Sequence, residues 1–136
     1  MKEFFSVIRS APLFSGISEE ELTAFTQAGY SGEKFDDARV APLEPLTEDT
    51  YCLELWHGPT SAFKDMALQI LPHLLSASLV KNQEDKTVCI LVATSGDTGK
   101  AALEGFKDVD RTKILVFYPK DGVSAVQALQ MQTQQG

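Results

Sequence analysis

The chain has 136 residues, enough for one ordinary domain with a sizeable core, and its 43% hydrophobic and 23% charged residues describe a globular protein rather than a disordered or membrane chain. A net charge of −7 with no basic cluster argues against nucleic-acid binding. The longest apolar run falls far short of a membrane span, and the N-terminus carries no secretory-signal pattern, so the cytoplasm is the expected compartment.

The first expected element is a helix. Ser18 with Glu21 three residues on is a capping box, and the helix it opens runs to about Ala28, with Leu22, Phe25 and Thr26 toward the core. Residues 31–49 hold Pro42, Pro45 and several charges, which predicts a largely irregular linker. Residues 1–49 thus read as an N-terminal helical segment and linker. A strand begins at Tyr51 and ends in the run Glu54-Leu55-Trp56-His57-Gly58-Pro59-Thr60-Ser61-Ala62-Phe63-Lys64-Asp65.

That run turns on Gly58-Pro59 and places Lys64 where a helix begins. The positive end of a helix dipole repels an ammonium, which favours the neutral amine, the form that attacks a carbonyl to make a Schiff base. A solvated surface lysine is the plainer reading of the placement alone. The following helix, from Asp65 to Leu79, has Ala67, Leu68, Leu71, Leu74, Leu75 and Leu79 apolar, and Pro72 within it predicts a kink or a break.

Val88 to Ala93 is a continuous apolar run, the pattern of a strand buried on both faces. It leads through Thr94-Ser95-Gly96-Asp97-Thr98-Gly99 into a helix over Lys100 to Phe106. A strand, a Gly/Ser/Thr loop and a helix N-terminus form an anion cradle from backbone N–H groups, hydroxyls and the dipole. Neither Walker A spacing nor G-x-G-x-x-G is present, so a carboxylate or small phosphoester fits better than a nucleotide. A third strand, Ile114 to Tyr118, ends at Pro119, and Ser124 to Gln132 reads as a final amphipathic helix. From Tyr51 on, this alternation predicts an α/β fold with an open parallel sheet and flanking helices, ligands binding at the strands' carboxyl ends.

The other reactive side chains carry less. Cys52 and Cys89 sit in predicted strands without CxxC spacing and are expected to be buried reduced thiols. His57 and His73 have no partner at metal spacing, so no metal site is expected. His57 either shapes the lysine site or is a structural turn residue, and Trp56 is expected to pack at the strand end.

Together, His57-Gly58-Pro59-Thr60 with Ala62-Phe63-Lys64-Asp65, then Ala93-Thr94-Ser95-Gly96-Asp97-Thr98-Gly99, closely resemble the threonine synthases. The resemblance continues through Val116 to Ser124, Val126-Gln127 and Gln130-Met131, and covers roughly Tyr30 to Gly136. It implies a pyridoxal 5'-phosphate enzyme of the tryptophan-synthase-β-like fold, converting O-phospho-L-homoserine and water to L-threonine and phosphate. It further implies that Lys64 is the catalytic, cofactor-bearing lysine. Thr94, Ser95, Gly96, Asp97 and Thr98 would bind the substrate carboxylate, and Asp97 would also hydrogen-bond the cofactor; wider-fold relatives often carry Asn there.

Threonine synthases are much longer, two-domain proteins with the site between domains. This chain lacks the family's later glycine/asparagine-rich loop for the cofactor phosphate, and the polar partner of the pyridine nitrogen. Its residues 1–21 also depart from the family's leader strand. Residues 50–136 are therefore expected to form a partial α/β cofactor-binding domain, truncated at its C-terminus and inactive alone, with an open sheet edge prone to self-association. Two alternatives stay open: a related pyridoxal-phosphate dehydratase, against which Ala62-Phe63-Lys64-Asp65 counts, and a non-catalytic α/β module binding a small anionic metabolite.

Overall fold

A computed structural model describes residues 16–136; residues 1–15, the front of the N-terminal segment, lie outside the described residues. Helix α1 (Glu19–Gly29) starts where the capping box places it. Ser18 Oγ accepts from the Glu21 N–H at 3.1 Å, and the Glu21 carboxylate accepts from the Ser18 N–H at 2.8 Å. This satisfies donors that the helix start otherwise leaves open. Leu22, only 1% exposed, anchors the helix in the core.

The linker is not wholly irregular. Leu43–Pro45 forms β1 and Tyr51–Leu53 forms β2, an antiparallel pair with Glu44 opposite Cys52. The strand expected to lead the parallel sheet therefore belongs to a small hairpin of its own. Its partner lies eight residues upstream on the other side of the tight Leu46–Thr50 connection, where the Leu46 and Thr47 N–H groups both bond the Thr50 carbonyl. Local pairing of this kind closes a far shorter loop than a crossover would.

The expected long helix is broken into α2 (Asp65–Leu68) and α3 (Leu71–Lys81). The break precedes Pro72, which sits in the first turn of α3, where a missing N–H costs nothing. Helix α1 packs on α3, with Phe25 stacked on His73 at 6.1 Å between ring centroids. Burial lowers the His73 pKa, with Lys34 adding to the effect.

The parallel sheet has two strands, β3 (Val88–Ala93) and β4 (Thr112–Phe117), paired from Val88↔Thr112 to Ala93↔Phe117. Helix α4 (Asp97–Gly105) packs on both strands and on α5 (Ala125–Gln132). Its tight packing comes from small residues: Ala101 is 0% and Ala102 2% exposed. The opposite face of the sheet is open. Burial alternates along both strands, and Leu91 and Phe117 are 67% and 61% exposed. The expectation of a strand buried on both faces is thus corrected: only α4's side is covered among the described residues. Cys89 lies on the open face and is exposed, and Cys52 is half-buried, so neither is the buried thiol expected, though both are free. No described helix is long and apolar enough to cross a membrane.

Replacing Leu22 by Ala is expected to lower stability by about 2–5 kcal/mol in urea unfolding, as for other large core truncations. Leu91→Ala on the open face should stay within about 0.5 kcal/mol. Equal losses at both positions would contradict this assignment of core and open face.

Candidate functional site

The lysine turn is organised by its neighbour. Asp65 is 1% exposed, and its carboxylate accepts from the Thr60 N–H at 2.8 Å and from the Thr60 hydroxyl at 2.7 Å. A buried carboxylate is costly unless hydrogen-bonded, and each such charge-assisted bond contributes about 1.5–3 kcal/mol. Gly58 is required by the same packing, because a Cβ there would lie 2.6 Å from Asp65 Cβ. Ser61 closes the turn on the Gly58 carbonyl at 3.0 Å and adopts a left-handed φ of 56°. That conformation costs a non-glycine residue roughly 1–2 kcal/mol, which the Asp65 bonds offset.

Lys64 follows at the N-cap of α2, half-buried, with its Nζ 4.7 Å from the centroid of the Phe63 ring. Phe63 is 55% exposed, so the amine lies toward the surface. The helix it precedes has four residues, far less than the long helix expected. Its dipole is correspondingly small.

The second motif forms the start of α4. Thr94 continues β3 by donating its N–H to the Phe117 carbonyl at 2.9 Å. Its hydroxyl accepts from the Gly96 and Gly99 N–H groups at 3.0 and 3.1 Å, so this side chain folds the loop. Gly96 has φ 145°, a conformation other residues rarely adopt, and as N-cap it offers no side chain to the first turn. Ser95 is exposed beside it, and Asp97 and Thr98 are the first helical residues rather than loop. Thr94 thus takes the third helical N–H from within the loop, and the Asp97 and Thr98 N–H groups are the ones left for an anion.

Asp97 is oriented from outside its own loop. Its Oδ1 accepts from Gln127 Nε2 at 2.7 Å and lies 3.6 Å from Lys100 Nζ. Gln127 is itself fixed by a capping box with Ser124. Lys100 Nζ also donates to the Thr60 carbonyl at 2.9 Å, and this bond joins the lysine turn to α4. Thr60, Asp65, Lys100 and Gln127 were absent from the sequence-derived site. The Ser124/Gln127 capping box was legible in sequence; the long-range Lys100 bond was not.

His57 precedes the turn, its ring 14% exposed between two carboxylates. Nε2 lies 2.8 Å from Glu54 Oε2, and Nδ1 meets Asp36, whose own N–H donates to the His57 carbonyl. The hydrogen bonds that its protonated ring donates to the Glu54 and Asp36 carboxylates raise its pKa. Trp56, expected to pack at the strand end, is 49% exposed and tilted against His57. Among the described residues no group of side chains could hold a metal ion.

No protein-family model matches the chain. It is 51% identical over 94 residues, 69% of its length, to the threonine synthase of Pseudomonas aeruginosa. Among solved structures it resembles the threonine synthase from yeast, with 33% identity and a TM-score of 0.81 over 93% of the chain. It also resembles the PLP-bound threonine synthase from Brucella melitensis, with 38% identity and a TM-score of 0.74 over 82% of the chain. The chain spans 20%, 26% and 23% of these three proteins, respectively.

A group whose folded pKa is raised contributes stability below its unfolded pKa, about 6.5 for His, and loses it as pH rises through the folded value. The melting temperature should therefore carry a component, due to His57, that falls as pH rises above about 6.5. In His57→Gln that component should vanish. An unchanged slope in the variant would contradict the pairing of His57 with Asp36 and Glu54.

Proposed function

We propose that this chain, homologous to the threonine synthases over the stretch it covers, supplies one half of a pyridoxal 5'-phosphate site for threonine synthesis. The reaction is that of O-phospho-L-homoserine and water giving L-threonine and phosphate. The observation that carries the reading is the joining of a half-buried, surface-directed lysine turn to the start of α4 through the Lys100–Thr60 bond.

The residues fit the group. Lys64 offers a primary amine for the cofactor's aldehyde, held on a turn that Asp65 fixes from beneath. The start of α4, with Ser95, Thr98 and backbone N–H groups, suits the carboxylate of an amino-acid substrate. When bound, pyridoxal phosphate supplies the electron sink for proton removal at carbons beside the substrate nitrogen. Lys64 would be the side chain that takes up those protons and gives them back. Asp97 would orient the bound molecule, its own direction set by Gln127. Thr94 shapes the loop, and Gly96 leaves room for the Gln127 side chain, which a Cβ there would meet at 2.5 Å.

A second reading applies to the chain by itself. Its sheet has an open apolar face, with Leu91, Leu115 and Phe117 more than half exposed, and it spans about a fifth of the Pseudomonas relative. On its own it would bind cofactor or anion without turning substrate over.

Incubation with pyridoxal phosphate, borohydride reduction and peptide mapping tests the assignment. Label concentrated on Lys64 and lost in Lys64→Ala is the expected outcome. Label scattered over the lysines, or kept by the variant, would sink it. Asp97→Ala should leave Lys64 labelled but weaken O-phospho-L-homoserine binding by about tenfold, the size of one lost charged hydrogen bond. An unaltered affinity would remove Asp97 from the site.

A further inference from the structure

We propose that Lys100 is a positioning residue: its ammonium, held between the Thr60 carbonyl and the Asp97 carboxylate, keeps the Lys64 turn in register with the anion-binding start of α4. The proposal rests on the reading of Lys64 and residues 94–98 given above, which uses the Lys100–Thr60 bond as a link, and goes beyond it in giving the ammonium itself a role.

Three observations single out this lysine. Its side chain is 12% exposed, with Nζ 2.9 Å from the Thr60 carbonyl and 3.6 Å from Asp97 Oδ1. Removing an ammonium from water is unfavourable, and an alkyl chain would fill the same space without that penalty. Lys100 also stands at the fourth position of α4, close to the positive end of the dipole, where a cation weakens the helix. Helix stability therefore does not explain it. What the ammonium adds is a directed bond across 40 residues of sequence.

The bond lands where it has most effect. Thr60 already commits its N–H and hydroxyl to Asp65, the residue after Lys64. Its carbonyl is the remaining backbone handle on the turn, and Lys100 takes it from α4. The turn is then held from beneath by Asp65 and from the side by the helix that carries Asp97. Lys100 and Gln127 both address Asp97 Oδ1, which leaves Oδ2 as the oxygen presented to a bound molecule. Lys100 touches no reacting atom in this scheme; it fixes the relative placement of two groups that do.

The test uses the 136-residue chain with Lys100→Met and Lys100→Arg, read by the carbonyl carbon resonance of Thr60 and by the share of borohydride label on Lys64. In K100M the Thr60 carbonyl resonance should move upfield, and the Lys64 share should fall by about tenfold, as for a reacting group that loses its held geometry. K100R keeps a cationic donor and should retain both signals. Should K100M not melt cooperatively, K100Q serves the same comparison. An unmoved Thr60 resonance, or an unchanged Lys64 share, overturns the proposal. If the wild type itself does not label at Lys64, the cofactor reading fails, and the Thr60 resonance alone then decides the Lys100 contact.

Discussion

A carboxylate with 1% exposure holds the lysine turn together. Asp65 cannot remain buried as an anion without donors, and Thr60 supplies two, one from its backbone and one from its side chain. That demand closes the chain on itself over five residues, forces glycine at 58 and tolerates a left-handed Ser61. Lys64 is placed by these constraints rather than by contacts of its own. Its ammonium lies over the neighbouring Phe63 ring, so its head is left available.

The second constraint is the sheet. Two parallel strands with α4 on one face and an open apolar surface on the other make half of a layered structure. Parallel sheets are ordinarily covered on both faces. The start of α4 projects from the carboxyl end of β3, where open α/β sheets bind ligands, and the Lys100–Thr60 bond brings the lysine turn to that same end. The chemistry of the site therefore gathers at one edge of a small scaffold.

Much of this was legible in sequence because it is local. The Ser18/Glu21 box, the apolar runs of β3 and β4 and the Gly96 turn each depend on residues within a few positions. Pro72 was read correctly as a breaker, since its missing N–H acts wherever it stands. The failures concern what lies across space. A run of apolar residues does not say which faces find a cover, so Cys89 and Leu91 were placed inside and lie outside. Tyr51–Leu53 pairs with a strand hidden in a proline-bearing linker, because Pro45 sits at a strand end where no ladder donor is needed. Nothing near Lys100 in sequence marks its contact, which exists only once Thr60 is brought to it.

The central claim is that Asp65 organises the turn that presents Lys64. The most direct measurement is amide hydrogen exchange at Thr60 in the wild type and in Asp65→Asn. The account predicts a Thr60 N–H protected on the scale of the β3 amides, and exchange accelerated by about tenfold or more in the variant, with β3 unchanged. A Thr60 amide that exchanges as fast as one in an unstructured loop, or is indifferent to the loss of the carboxylate, would contradict it.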